Sequence, residues 1–405
     1  MSPMNKTNRV HRPKSSPRTG KRNKREHERM KRKNAKRTAS STSRTTCFMR
    51  CTALCLTIVG VLILRYPSLI PPSIQSYGNI VLKLDDIVTS PLRPEVESIQ
   101  GLDHFYMFPP TNSTFQPRGI LLYLHSCQQS GLDFFTLPEH RILAVTAIQK
   151  GMVIFSPTSH NRNSGCFTSE DTNGYLEKVV DIFVLNHQLH RLPRVGLGDS
   201  SGGSLLPFVH RSLKLESMAV YNSPRGYVDA DVNAKEVIPT VYLTMSSDGV
   251  ISDRMKANML TLKEMSVPTY LYKVSPRPFT ESLCEARFPE LPLEFCLHVF
   301  QTIRIDCSNL LDTSGFVIDG DVKSEDWKSC FEKLESENEM KYSIDKTLGA
   351  FDDLISYAWD EKKSWLRVIL EQEIQACHGF HAMTAQFHRE VLHFLMTNGK
   401  MNQNR

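Results

Sequence analysis

Acidic residues are nearly absent from the first 46 positions. Glu26 and Glu28 stand against 16 Lys and Arg, and apolar side chains are scarce as well. A segment of that composition cannot bury enough apolar surface to offset its chain entropy, so no folded domain is expected there. The chain's formal net charge is +6, and the tail's own +14 leaves −8 for the rest. The high pI therefore belongs to the tail, not to the body. The run Lys21 to Arg37 has the composition of a nuclear-localisation or nucleic-acid patch. The apolar run just beyond it argues for a membrane instead, and no nucleic-acid partner is expected.

Charge is missing altogether from Cys51 to Leu64, a 14-residue apolar run bracketed by Arg50 and Arg65. At ~1.5 Å per residue such a helix spans about 21 Å, short of a ~30 Å hydrocarbon core. Extending it to residues 47–66 closes the gap if both arginines snorkel to the headgroups. A cleaved signal peptide is the competing reading. However, the basic region is too long for one, and no small-x-small site precedes Pro67. The expectation is an uncleaved anchor at 47–66, tail in the cytosol and C-terminal body in the lumen of the ER or Golgi, a single-pass type II arrangement. The tail then serves orientation and contact with anionic lipid. Cys47, Cys51 and Cys55 are palmitoylation candidates. Residues 67–98 open with Pro67-Ser-Leu-Ile-Pro-Pro and read as a stalk. Asn112-Ser-Thr is an N-glycosylation sequon, usable only in a lumenal body.

Metal-type cysteine spacing is also lacking. None of the seven body cysteines (Cys127, Cys166, Cys284, Cys296, Cys307, Cys330, Cys377) stands in C-x-x-C, so no zinc site is implied, and the odd number leaves at least one outside intramolecular pairing. What the body does contain is a regular alternation. Apolar runs at Gly119–Leu124, Met152–Ser156, Val195–Leu197, Ser217–Tyr221, Ile238–Met245 and Pro268–Tyr272 read as strands. Helical patterns at Pro138–Gln149, Asp171–Leu189, Ser204–Leu213 and Ser252–Met265 fall between them. Such a chain folds as an α/β protein with a mostly parallel sheet covered by helices on both faces. Its chemistry gathers at the carboxyl ends of the strands.

Within that alternation stands Gly198-Asp-Ser200-Ser-Gly202, between an apolar strand and a helix. A serine at the tip of a sharp strand-to-helix turn projects its hydroxyl clear of the backbone. Glycines two before and two after let strand and helix pass without an intervening Cβ. The backbone N–H of Ser201 then faces the oxygen of a bound acyl group. The string also resembles a trypsin-like Gly-Asp-Ser-Gly-Gly with one serine inserted. Those enzymes are β-barrels whose nucleophile follows its histidine and aspartate. The alternating helices and the ~200 residues after Ser200 exclude that reading.

With strands, turn and strand-end residues in place, the chain resembles an α/β-hydrolase over about residues 100–274 and 376–397. The esterase and polyhydroxybutyrate-depolymerase-like branch is the nearest. There an L-H-G-C-x-Q-S stretch supplies the second oxyanion donor; here it reads Leu124-His-Ser-Cys-Gln-Gln-Ser130. The resemblance gives that role to the backbone of Ser126 or Cys127, with Ser126 departing from the usual glycine. Asn161-Arg-Asn-Ser-Gly-Cys166 echoes a further stretch of that branch. The chain order serine, acid, histidine directs attention downstream. Asp248, in a Ser-Ser-Asp-Gly loop after a strand, is the candidate acid. Its competing role is to cap the helix near Ser252.

Residues 275–375, rich in charge and helix formers, read as a helical insertion before the histidine. It is either a lid with an apolar pocket, which its Trp327, Trp359 and Trp365 favour, or a scaffold. The hydrolase domain as a whole is placed at 99–405. For the base, His381 and His378 compete. Gly379 suits a helix C′ position, which puts His378 in the last helical turn. His381 then lies in a loop before a helix started by Thr384, and is preferred. His388 and His393 read as packing or surface residues of that helix. The resulting expectation is a membrane-anchored serine hydrolase acting on a small-molecule or lipid ester, with no metal or organic cofactor implied. A catalytically silent hydrolase fold used for binding is the alternative.

Overall fold

The computed structural model describes residues 92–110, 116–227, 236–280, 293–341 and 365–399. The basic tail, the 47–66 run, most of the stalk, Asn112, Cys284 and Trp359 lie outside the described residues.

Among the described residues, eight strands form one sheet. They are β1 (Glu95–Ile99), β2 (Leu102–Met107), β3 (Gly119–Leu124), β4 (Met152–Ser156), β5 (Arg194–Asp199), β6 (Leu215–Tyr221), β7 (Thr240–Met245) and β8 (Thr269–Val274). Their order across the sheet is β1-β2-β4-β3-β5-β6-β7-β8. Of these, β2 alone runs against the rest: it pairs antiparallel with β1 and β4, and every other pairing is parallel. The first two strands carry no strong sequence signal. Their residues alternate and β1 is largely exposed, as an edge strand is. The sheet thus begins at Glu95, inside the stretch read as stalk.

The continuous apolar run of β3 follows from burial on both faces. Ile120, Leu122 and Leu124 point into one core, and Leu121 and Tyr123 into the other. The first core is closed by helices α2 (Leu176–Asn186), α3 (Ser201–Val209) and α4 (Gly249–Glu264). The second is closed by α1 (Pro138–Gln149) and the last helix, α8 (His388–Met396). Each fully buried Leu, Ile or Phe contributes roughly 1.5–3 kcal/mol, which is why strands and helices with one apolar stripe cannot stay apart. The expected helix Asp171–Leu189 is shorter than its periodicity. Gly174, at φ +83°, breaks it, and the regular helix starts at Leu176.

The 275–375 stretch contributes α5 (Leu293–Asp306), α6 (Glu325–Lys341) and α7 (Trp365–His378). These pack around a separate core of Val299, Ile303, Trp327, Phe331, Leu334 and Ile374, and the Cys307–Cys330 disulfide joins the end of α5 to α6. Trp327 is wholly buried there, with its Nε1–H donating to the Asp319 carbonyl at 2.8 Å. It holds the insertion together, so its presence is no sign of a pocket. Both ends of the insertion are tied to the sheet-bearing core by charge. Arg277, just after β8, donates to Glu139 on α1 at 2.6 Å and to Glu373 on α7 at 3.2 Å.

Candidate active site

The turn between β5 and α3 carries Ser200 at φ +49° and ψ −105°. Such a conformation costs a non-glycine residue about 1–3 kcal/mol and needs surroundings that enforce it. The enforcement is visible. A Cβ on Gly198 would stand 2.7 Å from the Gly202 backbone, and one on Gly202 would stand 2.1 Å from the Leu124 carbonyl oxygen. Strand and helix therefore approach to a distance only glycines allow. The Ser200 N–H donates to Tyr221 O at 2.9 Å, and Ser200 O accepts from Ser204 N at 2.8 Å. Helix α3 starts at Ser201, three residues before its apolar pattern begins, because the turn itself supplies the first turn of helix.

Three separate chain segments converge on the Ser200 hydroxyl. Ser200 Oγ lies 2.9 Å from His381 Nε2, and His381 Nδ1 lies 3.0 Å from Asp248 Oδ2. With Asp248 ionised, Nδ1–H donates to the carboxylate and Nε2 is the acceptor for the serine proton. Asp248 is buried, whereas the His381 side chain is about a third exposed, so the imidazole reaches the solvent side of the pair. Asp248 Oδ1 accepts from Ile251 N at 3.3 Å and makes Asp248 the N-cap of α4. One oxygen thus bonds the imidazole while the other caps the helix.

His378 stands elsewhere. It is the last residue of α7, its Nδ1–H donates to the Val317 carbonyl at 3.0 Å, and its ring packs against Gly320. Gly379, at φ +72°, ends the helix as expected. Thr384 does not start the next one. Its Oγ1 accepts from Gln386 N in a local turn, Ala385 N–H donates to Glu139 Oε2, and α8 begins only at His388. His388 is buried, as a packing residue would be, and His393 is partly buried. The acid and base loops are joined through their backbones: Ser247 N donates to Gly379 O at 2.9 Å, and Ser247 Oγ to His378 O at 2.7 Å.

The loop after β3 is built around a buried imidazole. Ser159 N donates to His125 Nε2 at 3.0 Å, so Nδ1 carries the proton and donates to Ser126 O at 2.7 Å. Burial pushes the His125 pKa down to about 3, which keeps it neutral. Ser126 N–H is already committed to Gln129 Oε1 at 3.1 Å, which removes it from the donors on offer to a substrate. Cys127 is bonded to Cys166, and Gln128 N donates to Ser164 O. The stretch 161–166 thus braces the loop from behind. Ser201 Oγ joins the same assembly, donating to His125 O and accepting from Phe167 N, each at 3.3 Å. Its N–H is one of the first-turn donors that a helix leaves without an intrahelical partner.

Three residues of the site went unread in the sequence: Gln129, Asp199 and Asn222. Gln129 belongs to the quoted loop motif, and Asp199 and Asn222 follow apolar strands directly, a position where a polar side chain is at the functional end of the sheet. No metal-binding cluster of His, Cys, Asp or Glu occurs among the described residues.

The strand order, the antiparallel second strand and the strand–serine–helix turn define an α/β-hydrolase fold. No protein-family model matches the chain. No curated protein matches it either. Solved structures similar to it include dienelactone hydrolase from Anabaena variabilis, at 14% identity over 46% of this chain and 88% of that one, with a TM-score of 0.33. An esterase from Pyrobaculum calidifontis is 12% identical over 45% and 75%, TM-score 0.32. The butyrate-bound esterase Est2 of Thermogutta terrifontis is 10% identical over 46% and 84%, TM-score 0.33.

Proposed function

We propose that the protein is a serine hydrolase that transfers the acyl group of a carboxylic ester, with Ser200 as nucleophile, His381 as base and Asp248 as orienting acid. The observation that carries this reading is the unbroken relay from Ser200 Oγ through His381 to Asp248, at 2.9 and 3.0 Å. Ser200 Oγ attacks the ester carbonyl carbon while its proton passes to His381 Nε2. The carbonyl oxygen becomes an oxyanion held by the N–H groups of Ser201 and Cys127, the loop donor that remains once Ser126 is engaged. Collapse expels the alcohol, which takes the proton from His381. Water then repeats the sequence on the acyl-serine and frees the acid. Asp248 holds the imidazole in the tautomer that both steps require.

The membrane tether and the lumenal position belong to the same proposal. They are supported by the tail's positive charge and the apolar run beside it. The Cys127–Cys166 and Cys307–Cys330 disulfides support them too, since such bonds persist in an oxidising compartment. The substrate is then a small-molecule or lipid ester met in the lumen or at the membrane.

A fluorophosphonate probe tests the chemistry. Wild type should label and turn over p-nitrophenyl acetate, and Ser200→Ala should do neither. Ser201→Ala keeps the backbone donor and should retain activity. An unlabelled wild type of native fold overturns the reading in favour of a silent binding fold.

A further inference from the structure

Asp199 and Asn222 lie directly beneath the base, on the carboxyl ends of β5 and β6. Both side chains are buried. The Asn222 amide spends its two hydrogens on two partners: Nδ2 donates to Asp199 Oδ1 at 3.2 Å and to the Ala382 carbonyl at 2.7 Å. Ala382 is the residue after His381. His381 itself sits at φ +38° and Asn222 at φ +47°. Positive φ is uncommon outside glycine, and Asn and His are among the residues that adopt it. The base is carried on a loop tied to the sheet end by the Asn222 amide, and that amide is anchored on a carboxylate outside the Ser–His–Asp relay.

We propose that Asn222 and Asp199 act as a positioning pair for the base, Asn222 by fixing the His381 loop and Asp199 by orienting that amide. The proposal rests on the hydrolase reading and deepens it. An amide can satisfy a carboxylate and a carbonyl at once only by donating to both, so its oxygen points away and its orientation is determined. Burial raises the Asp199 pKa to about 6, and attraction to His381, the Asn222 bond and the Ser200 N–H act against that rise. The other titratable groups facing it are Tyr123 from β3 and Tyr221 from β6. Burial raises both phenols well above their ordinary values, so they stay neutral. His381 is thus flanked by two carboxylates with separate tasks. Asp248 bonds the imidazole directly, and Asp199 acts through the Asn222 amide and the loop it ties.

Two variants of the full chain separate these tasks. Asn222→Ala removes the tie. It should lower kcat for p-nitrophenyl acetate by about 10- to 100-fold with little change in KM, since misplacement of a catalytic group acts on the reacting step. The same variant should speed hydrogen–deuterium exchange in peptides covering 379–387 and leave those of α1 unchanged. Asp199→Ala removes the acceptor that orients the amide. It should lower kcat, by less than Asn222→Ala does, and speed exchange in the same 379–387 peptides. An unchanged kcat and unchanged exchange in Asn222→Ala overturn the loop tie. An unchanged kcat and unchanged exchange in Asp199→Ala overturn the orienting role of the carboxylate. If Asn222→Ala fails to fold, Asp199→Ala still decides whether the anchored amide holds the loop. A wild type that neither turns over nor labels refutes the hydrolase reading, and exchange at 379–387 then decides the loop tie alone.

Discussion

Asp248 serves two structures with two oxygens, and separating them makes a sharp test. Oδ2 accepts from His381 Nδ1–H at 3.0 Å and Oδ1 from Ile251 N–H at 3.3 Å. Asp248→Asn leaves the cap in place, because an asparagine oxygen caps a helix as well as an aspartate oxygen does. Toward His381 it presents an NH₂ group in place of a carboxylate oxygen. Two donors cannot face each other, so Nδ1 must become the acceptor and Nε2 the protonated nitrogen. Nε2 can then no longer take the serine proton, and the imidazolium loses its counter-charge. The expected loss in kcat is about 10⁴-fold, the order seen when a triad acid is converted to its amide. Asp248→Ala removes both bonds. Its kcat should fall by a similar factor, and loss of the cap should cost about 1 kcal/mol more of stability than Asp248→Asn. In a domain of this size that is a melting temperature lower by roughly 2–4 °C. The assays are p-nitrophenyl acetate hydrolysis beside the rate of fluorophosphonate labelling, and a thermal melt. An Asp248→Asn enzyme within tenfold of wild type would refute the acid assignment. Equal melting of the two variants would refute the cap.

The two histidines should part cleanly. His381→Ala should lose about 10³-fold or more in kcat, since the serine then has no proton acceptor. His378→Ala, which breaks a bond to Val317 O and a packing contact with Gly320, should lower thermal stability and leave the Ser200 labelling rate close to wild type. For the proposed topology, Asn112 should carry glycan and the basic tail should be cut by protease added to sealed microsomes. A protected tail together with an unmodified Asn112 speaks against a lumenal body.

The legibility of the site in the sequence depends on the range of the forces involved. The Ser200 turn was readable because its glycine–serine–glycine spacing is written within five residues. Gly198 is required by its contact with Gly202, although what requires Gly202 is the Leu124 carbonyl of a neighbouring strand. The parallel sheet was readable too, since burial on both faces demands continuous apolar strands. The edge hairpin β1–β2 escaped notice because half-exposed strands carry a weak pattern. Thr384 misled as a helix start: its Oγ1 accepts from Gln386 N as a cap would, yet the chain only makes a turn there and the helix begins at His388. The loop position of His381 survived that error, since Gly379 alone ends α7.

What the sequence determined by itself is therefore local: the serine at the turn, the glycines around it, the alternation that builds the sheet, and the short list of acids and histidines downstream. What only the tertiary structure decided is pairing across distance. It joined Ser200 to a histidine 181 residues downstream and set His378 against the helical insertion. It also let one carboxylate bond an imidazole and cap a helix, and tied the loop after His381 to Asn222 and Asp199. Hydrogen bonds of this kind depend on ångström-scale placement by the whole packed sheet, and no spacing along the chain encodes that placement.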